Sequence, residues 1–111
     1  MTPVPPVPSA SPTEIDQRLK RGDDLLLIDV REPEEVAIAC IKGALVRPMS
    51  QGENWIDTLP REGDLIIFCH HGIRSMHVAM ALAARGHNNV TNMSGGIDQW
   101  STDVDRGVPR Y

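Results

Sequence analysis

Apolar side chains gather in short unbroken runs along this chain, and polar, glycine- and proline-rich stretches separate them. Leu25-Leu26-Leu27-Ile28 and Leu65-Ile66-Ile67-Phe68 are the clearest. Runs this short and this uniform predict strands covered on both faces, as in a parallel sheet. Helix signals fall between them. Ser11-Pro12-Thr13-Glu14 is a capping box with proline at the first helical position, so a helix should run to about Arg21 and stop at Gly22. Residues 31–38 read as a short helix after Pro33, residues 44–47 as a brief strand ended by Pro48, and residues 55–59 as a helical turn closed by Pro60.

After the second run, residues 74–85 read as a helix stopped by Gly86. Its apolar residues cover most of its circumference, which predicts a largely buried helix with Arg74, His77 and Arg85 on one polar edge. Residues 89–93 predict another strand, and Gly95-Gly96 lead into a last helix through Trp100. Gly107-Val108-Pro109 ends the chain in extended form. Residues 1–10, rich in proline, read as a flexible or polyproline-like lead-in, and residues 11–111 as one domain without repeats. Strands alternating with helices imply an α/β fold with a mainly parallel sheet. Ligands of such sheets gather at the carboxyl ends of the strands, where Asp29 and Cys69 both stand.

Composition narrows the function classes. The net charge of −4 and the scattered arginines, with Lys20 and Lys42 the only lysines, exclude a phosphate-binding surface for nucleic acid. No apolar run approaches the roughly 20 residues of a membrane span. The N-terminal stretch lacks the basic start and apolar core of a secretory signal. Two cysteines, Cys40 and Cys69, are too few for a disulfide framework. The expected setting is cytoplasmic and reducing.

The chemistry centres on Cys69-His70-His71-Gly72-Ile73-Arg74. A thiol at a strand end, followed by a short loop that opens a helix, sits where backbone N–H groups converge and favour negative charge. Free cysteines are often buried small hydrophobes. Here Gly72 permits close backbone approach, and a low-pKa thiolate is the nucleophile such a loop would stabilise. Arg74 opposes the helix macrodipole, which suggests anion binding or loop ordering. His70 and His71 should point outward with a modest electrostatic role. No metal is expected, because Cys69, His70 and His71 crowd together and lack partners at standard spacing. Asp29 and Arg31 either form a surface ion pair or brace the loop and pocket. Cys40 reads as structural, Trp55 and Trp100 as core covers, and Ser94-Gly95-Gly96 as a helix lead-in.

These segments, taken in order, resemble a single-domain rhodanese, a thiosulfate sulfurtransferase-type protein. The resemblance rests on residues 27–35 (LIDVREPEE), Ile41-Lys42-Gly43-Ala44, residues 69–75 (CHHGIRS), residues 93–100 (MSGGIDQW) and Gly107-Val108-Pro109. It implies a five-stranded, mainly parallel sheet flanked by helices on both faces. It also implies that Cys69 carries a sulfane sulfur as a persulfide, that residues 70–74 cradle it, and that Asp29 and Arg31 help shape the site. The implied reaction takes sulfur from an anionic donor such as thiosulfate, or another persulfide, to cyanide, a thiol or a protein acceptor, with no cofactor. The chain departs from the family at Ala39-Cys40-Ile41-Lys42, where Gly-His-Ile-Pro is usual, so the local turn there is in question. Two alternatives remain. Related folds with Cys-(x)5-Arg loops are phosphatases or arsenate reductases, but here four residues separate Cys69 from Arg74. A non-catalytic rhodanese-like binding module is the other.

Overall fold

The computed structural model describes residues 6–111. Five strands alternate with five α-helices. They are β1 (Ser9–Ala10), α1 (Pro12–Lys20), β2 (Leu25–Asp29), α2 (Pro33–Ile38), β3 (Leu45–Val46), α3 (Gly52–Trp55), β4 (Asp64–Phe68), α4 (Ile73–Ala84), β5 (Val90–Met93) and α5 (Gly96–Asp103). A 3₁₀ turn, Met49–Gln51, precedes α3. The strands form one sheet in the order β1-β5-β4-β2-β3, and every pairing is parallel. No helix among the described residues is long and apolar enough to cross a membrane.

The two uniform apolar runs take the sheet's centre, as their pattern predicts. Leu65, Ile66, Ile67 and Phe68 are all fully buried. Alternation along β4 then divides the core in two. Leu65, Ile67 and Cys69 pack with Val78, Ala79 and Leu82 of α4 on one face. Ile66 and Phe68 pack with Ile15 of α1 and Ile97 and Trp100 of α5 on the other. This parity sets the thiol on the α4 side of the sheet.

Four details refine the sequence reading. Residues 1–5 of the expected lead-in lie outside the described residues, but Ser9–Ala10 form an edge strand instead of a flexible arm. The Asn92 N–H donates to the Pro8 carbonyl and the Ser94 N–H to that of Ala10, each at 2.9 Å. Proline can supply a carbonyl on an edge without needing a donor of its own. The expected turn over residues 55–59 follows directly on α3, with the Thr58 N–H on the Trp55 carbonyl at 2.9 Å and the Trp55 indole N–H on the Pro48 carbonyl at 2.9 Å. Helix α4 is not largely buried: Ile73, His77, Met80 and Ala84 are exposed, and only the stripe from Ser75 to Ala83 packs inward. The departure at residues 39–42 still builds a turn. The Ala44 N–H bonds to the Ile41 carbonyl at 3.1 Å, and Gly43 takes the left-handed conformation at φ +88°. Trp55 and Trp100 are core covers, each 6% exposed.

Candidate active site

β2 and β4 are register neighbours, with Asp29 opposite Phe68. Their carboxyl ends therefore set Asp29 and Cys69 at one edge of the sheet, where chains in parallel folds bind ligands. Cys69 is only 1% exposed. Its Sγ accepts the N–H groups of Gly72 at 3.1 Å and Ser75 at 3.4 Å. Gly72 can close this loop because it adopts φ +103°, where a side chain would be strained and would press on the Met93 carbonyl and the Gly95 amide at 3.3 Å.

The carbonyls of the loop point the other way, toward α5. The Ile97 N–H bonds to the Cys69 carbonyl at 2.9 Å and the Asp98 N–H to that of His70 at 3.1 Å. Gly96 makes that approach possible: a Cβ there would lie 2.4 Å from both carbonyl oxygens. The amino end of α5 thus takes up the loop's acceptors and leaves its donors facing the sulfur.

Ser75 and Asn92 complete the shell around the thiol. The Asn92 side-chain N–H donates to the Gly72 carbonyl at 3.1 Å, which turns its Oδ1 to the Ser75 hydroxyl at 2.6 Å. Ser75 Oγ is also 3.4 Å from Sγ. While the thiol is protonated it can donate to Ser75. Once it ionises, the Ser75 hydroxyl can turn and donate to it. Burial pushes the Cys69 thiol up, but the Ser75 hydroxyl and the amides of Ser75, Gly72 and His71 together outweigh it. The net direction is below the ordinary thiol value, which favours the nucleophilic form.

Arg74 makes no hydrogen bond to the sulfur. Its guanidinium makes a two-pronged bond to Glu35 at 2.6 and 2.9 Å, tying α4 to α2. Of the two expected roles, loop ordering fits this geometry and anion binding does not. The Arg74 hydrogen bonds hold the Glu35 carboxyl down to about 2 against partial burial, with Tyr111 adding to the effect. Tyr111 donates its hydroxyl to Glu35 Oε2 at 2.7 Å and stacks on His70, with centroids 3.9 Å apart and planes 4° from parallel.

Asp29 and Arg31 are not a surface pair, at 1% and 0% exposure. All five guanidinium N–H groups of Arg31 find acceptors: both Asp29 oxygens, the carbonyls of Glu35 and Ala39, and the Tyr111 hydroxyl. The pair braces α2 and Tyr111 and reaches the loop only through them. It does not line the sulfur's pocket.

His71 is exposed, and His70 is half-buried between His71 and Tyr111. Neither imidazole hydrogen-bonds the Cys69 sulfur, whose partners are Gly72 and Ser75. Burial first, and the neighbouring His71 second, hold His70 below its ordinary value. Ile73 opens α4 with its side chain exposed. Cys40 is exposed as well, between buried Ala39 and Ile41. It borders a cleft of about 520 Å³ with Ile38, Lys42 and Trp100 and serves no core packing, contrary to the structural role expected.

Sequence reasoning missed Ser75, Asn92, Glu35, Tyr111 and Asp98. Only Asn92 carried a local signal, as an amide between Thr91 and Met93 in a short strand, where a buried amide needs partners. Asp98 is the least apparent. It comes from α5, yet one ligand atom each from His70, His71 and Asp98 lie within 4.8 Å of one another.

Fold and site together define an α/β protein that presents one buried, amide-held thiol at the carboxyl edge of a parallel sheet. The Rhodanese-like domain family matches residues 11–103, and the chain belongs to it. A sulfurtransferase of Allochromatium vinosum is 36% identical over 87 residues, covering 78% of this chain and 81% of that protein. The rhodanese-like/PpiC domain-containing protein 12 of Arabidopsis thaliana is 41% identical over 93 residues; the match covers 80% of this chain but spans only 31% of that longer protein. The crystal structure of a rhodanese-like domain protein from Staphylococcus aureus superposes with a TM-score of 0.81 at 27% identity, covering 95% of this chain and 99% of that one. The family is thus one of sulfurtransferases, and the five-stranded sheet with helices on both faces is its fold.

Proposed function

We propose that this protein moves a sulfane sulfur through a persulfide on Cys69, from thiosulfate or another persulfide donor to cyanide, a thiol or a protein acceptor. The observation that carries this reading is the pair of N–H groups from Gly72 and Ser75 aimed at Sγ. The Cys69 thiolate attacks the outer sulfur of the donor, a new S–S bond forms, and sulfite or a thiolate departs with the electron pair of the broken bond. The acceptor thiolate or cyanide then attacks that outer sulfur and returns Cys69 as thiolate. Amide dipoles that hold the thiolate also stabilise the negative charge of the persulfide. His70, His71, Gly72, Ile73 and Arg74 supply this loop, while Asp29 and Arg31 support it from behind. The reading includes a cytoplasmic, reducing setting, in which both thiols stay free.

Two features weigh against the alternatives. Phosphoryl transfer needs donors for three equatorial oxygens. In this loop Arg74, the residue that would clamp them, is committed to Glu35. A binding module has no use for a buried thiol on which the Gly72 and Ser75 amides converge. Intact-mass measurement after thiosulfate treatment tests the proposal. We expect a gain of one sulfur that maps to Cys69 and is absent in Cys69→Ser, with the fold unchanged. An unmodified parent protein, or equal loading of the variant, contradicts it.

A further inference from the structure

We propose that His70, His71 and Asp98 form a binding site for a borderline divalent transition-metal cation of the zinc class at the rim of the Cys69 loop. One ligand atom from each of the three lies within 4.8 Å of the others. His71 Nε2 and Asp98 Oδ2 are 3.8 Å apart. That is too long for a good hydrogen bond. It is close to the separation of two ligands on one ion, about 3.3 Å for bonds of 2.0–2.1 Å at a tetrahedral angle. His70 Nε2 is buried without a hydrogen-bond partner. Buried polar atoms in folded proteins are nearly always partnered, so one left open beside another imidazole and a carboxylate points to a missing ligand.

Backbone bonds build this arrangement in advance. The Asp98 N–H on the His70 carbonyl, at 3.1 Å, fixes the amino end of α5 against the loop. Arg110 contacts both Asp98 oxygens, at 2.9 and 3.2 Å. Each carboxylate oxygen keeps a further lone pair, so Arg110 acts on Asp98 as an outer partner that orients a ligand. Two imidazoles and one carboxylate suit zinc or its neighbours in the first transition row; magnesium and calcium want all-oxygen shells. Three protein ligands leave at least one coordination position open.

The thiols need not take part, and the test removes them. Zinc chloride is titrated calorimetrically into the full chain carrying Cys40→Ser and Cys69→Ser. We expect one ion per chain at micromolar affinity, not displaced by excess magnesium. Adding Asp98→Asn, or separately His71→Ala, should weaken binding at least tenfold, with circular dichroism confirming the fold of each. Absence of stoichiometric binding, or zinc affinity equal to the parent in both folded variants, overturns the proposal. The result is independent of sulfur transfer, because the protein tested has no nucleophile.

Discussion

Buried charge at Arg31 and buried thiol at Cys69 are held by the same means, a complete set of directed hydrogen bonds. Arg31 is fully enclosed, and each of its five donors has an acceptor. Removing one member of such a pair leaves the other's charge uncompensated, a loss of about 3–5 kcal/mol. Arg31→Met should therefore lower the unfolding free energy by about that amount in urea titrations, despite its similar volume. A loss under about 1 kcal/mol would place the pair among surface ion pairs in energetic terms. The thiol's shell is subtler, since the Ser75 hydroxyl can donate its hydrogen bond to Asn92 Oδ1 or to the sulfur. Asn92 showed itself only as an amide in need of a partner and Ser75 not at all, because their meeting depends on how α4 and β5 come together across 17 positions. Cys69 and Gly72, by contrast, declared themselves locally, as a thiol at a strand end and a glycine where the loop must turn.

At the level of elements, the loop is held from two sides. The amino end of α5 takes its carbonyls, and the Arg74–Glu35 bond ties the start of α4 to α2. The second tie depends on pH. Glu35 is held down to about 2, so the clamp contributes stability above the ordinary carboxylate value, near 4.3, and loses it as pH falls toward 2. The shift corresponds to at most about 3 kcal/mol, and solvent around the partly exposed pair reduces this to about 1–2. Glu35→Gln should be less stable than the parent by about 1–2 kcal/mol near neutrality, with the gap closing as pH falls to about 2. Denaturation midpoints measured across that range decide the matter; parallel curves for the two proteins contradict it. Patterning along the chain marked β2, β4 and the caps of α1 clearly, since burial on both faces and capping are local. It overstated the burial of α4, because alanines and methionines read as core whether or not a neighbour covers them. It missed β1, because a two-residue edge strand exists only through the free edge of β5.

Across the whole molecule, sheet order explains why these ties converge. β4 lies between β2 and β5, so residues from α2, α4, α5 and the β5 strand all reach the end of one central strand. Asp98 and Tyr111 arrive by the same route, from helix and chain far along the sequence. The family and its fold could be anticipated from motifs in order, whereas the meeting of His70, His71 and Asp98 could not, since it requires α5 to be docked on the loop. What the assembled fold achieves is a thiol buried in apolar surroundings yet biased toward its anion. The direct test is the pH dependence of Cys69 alkylation by iodoacetamide in a Cys40→Ser background, with Ser75→Ala alongside. The account predicts a rate midpoint below about 8.5 for the parent and a higher one for the Ser75 variant. A parent midpoint at or above about 8.5 would contradict it.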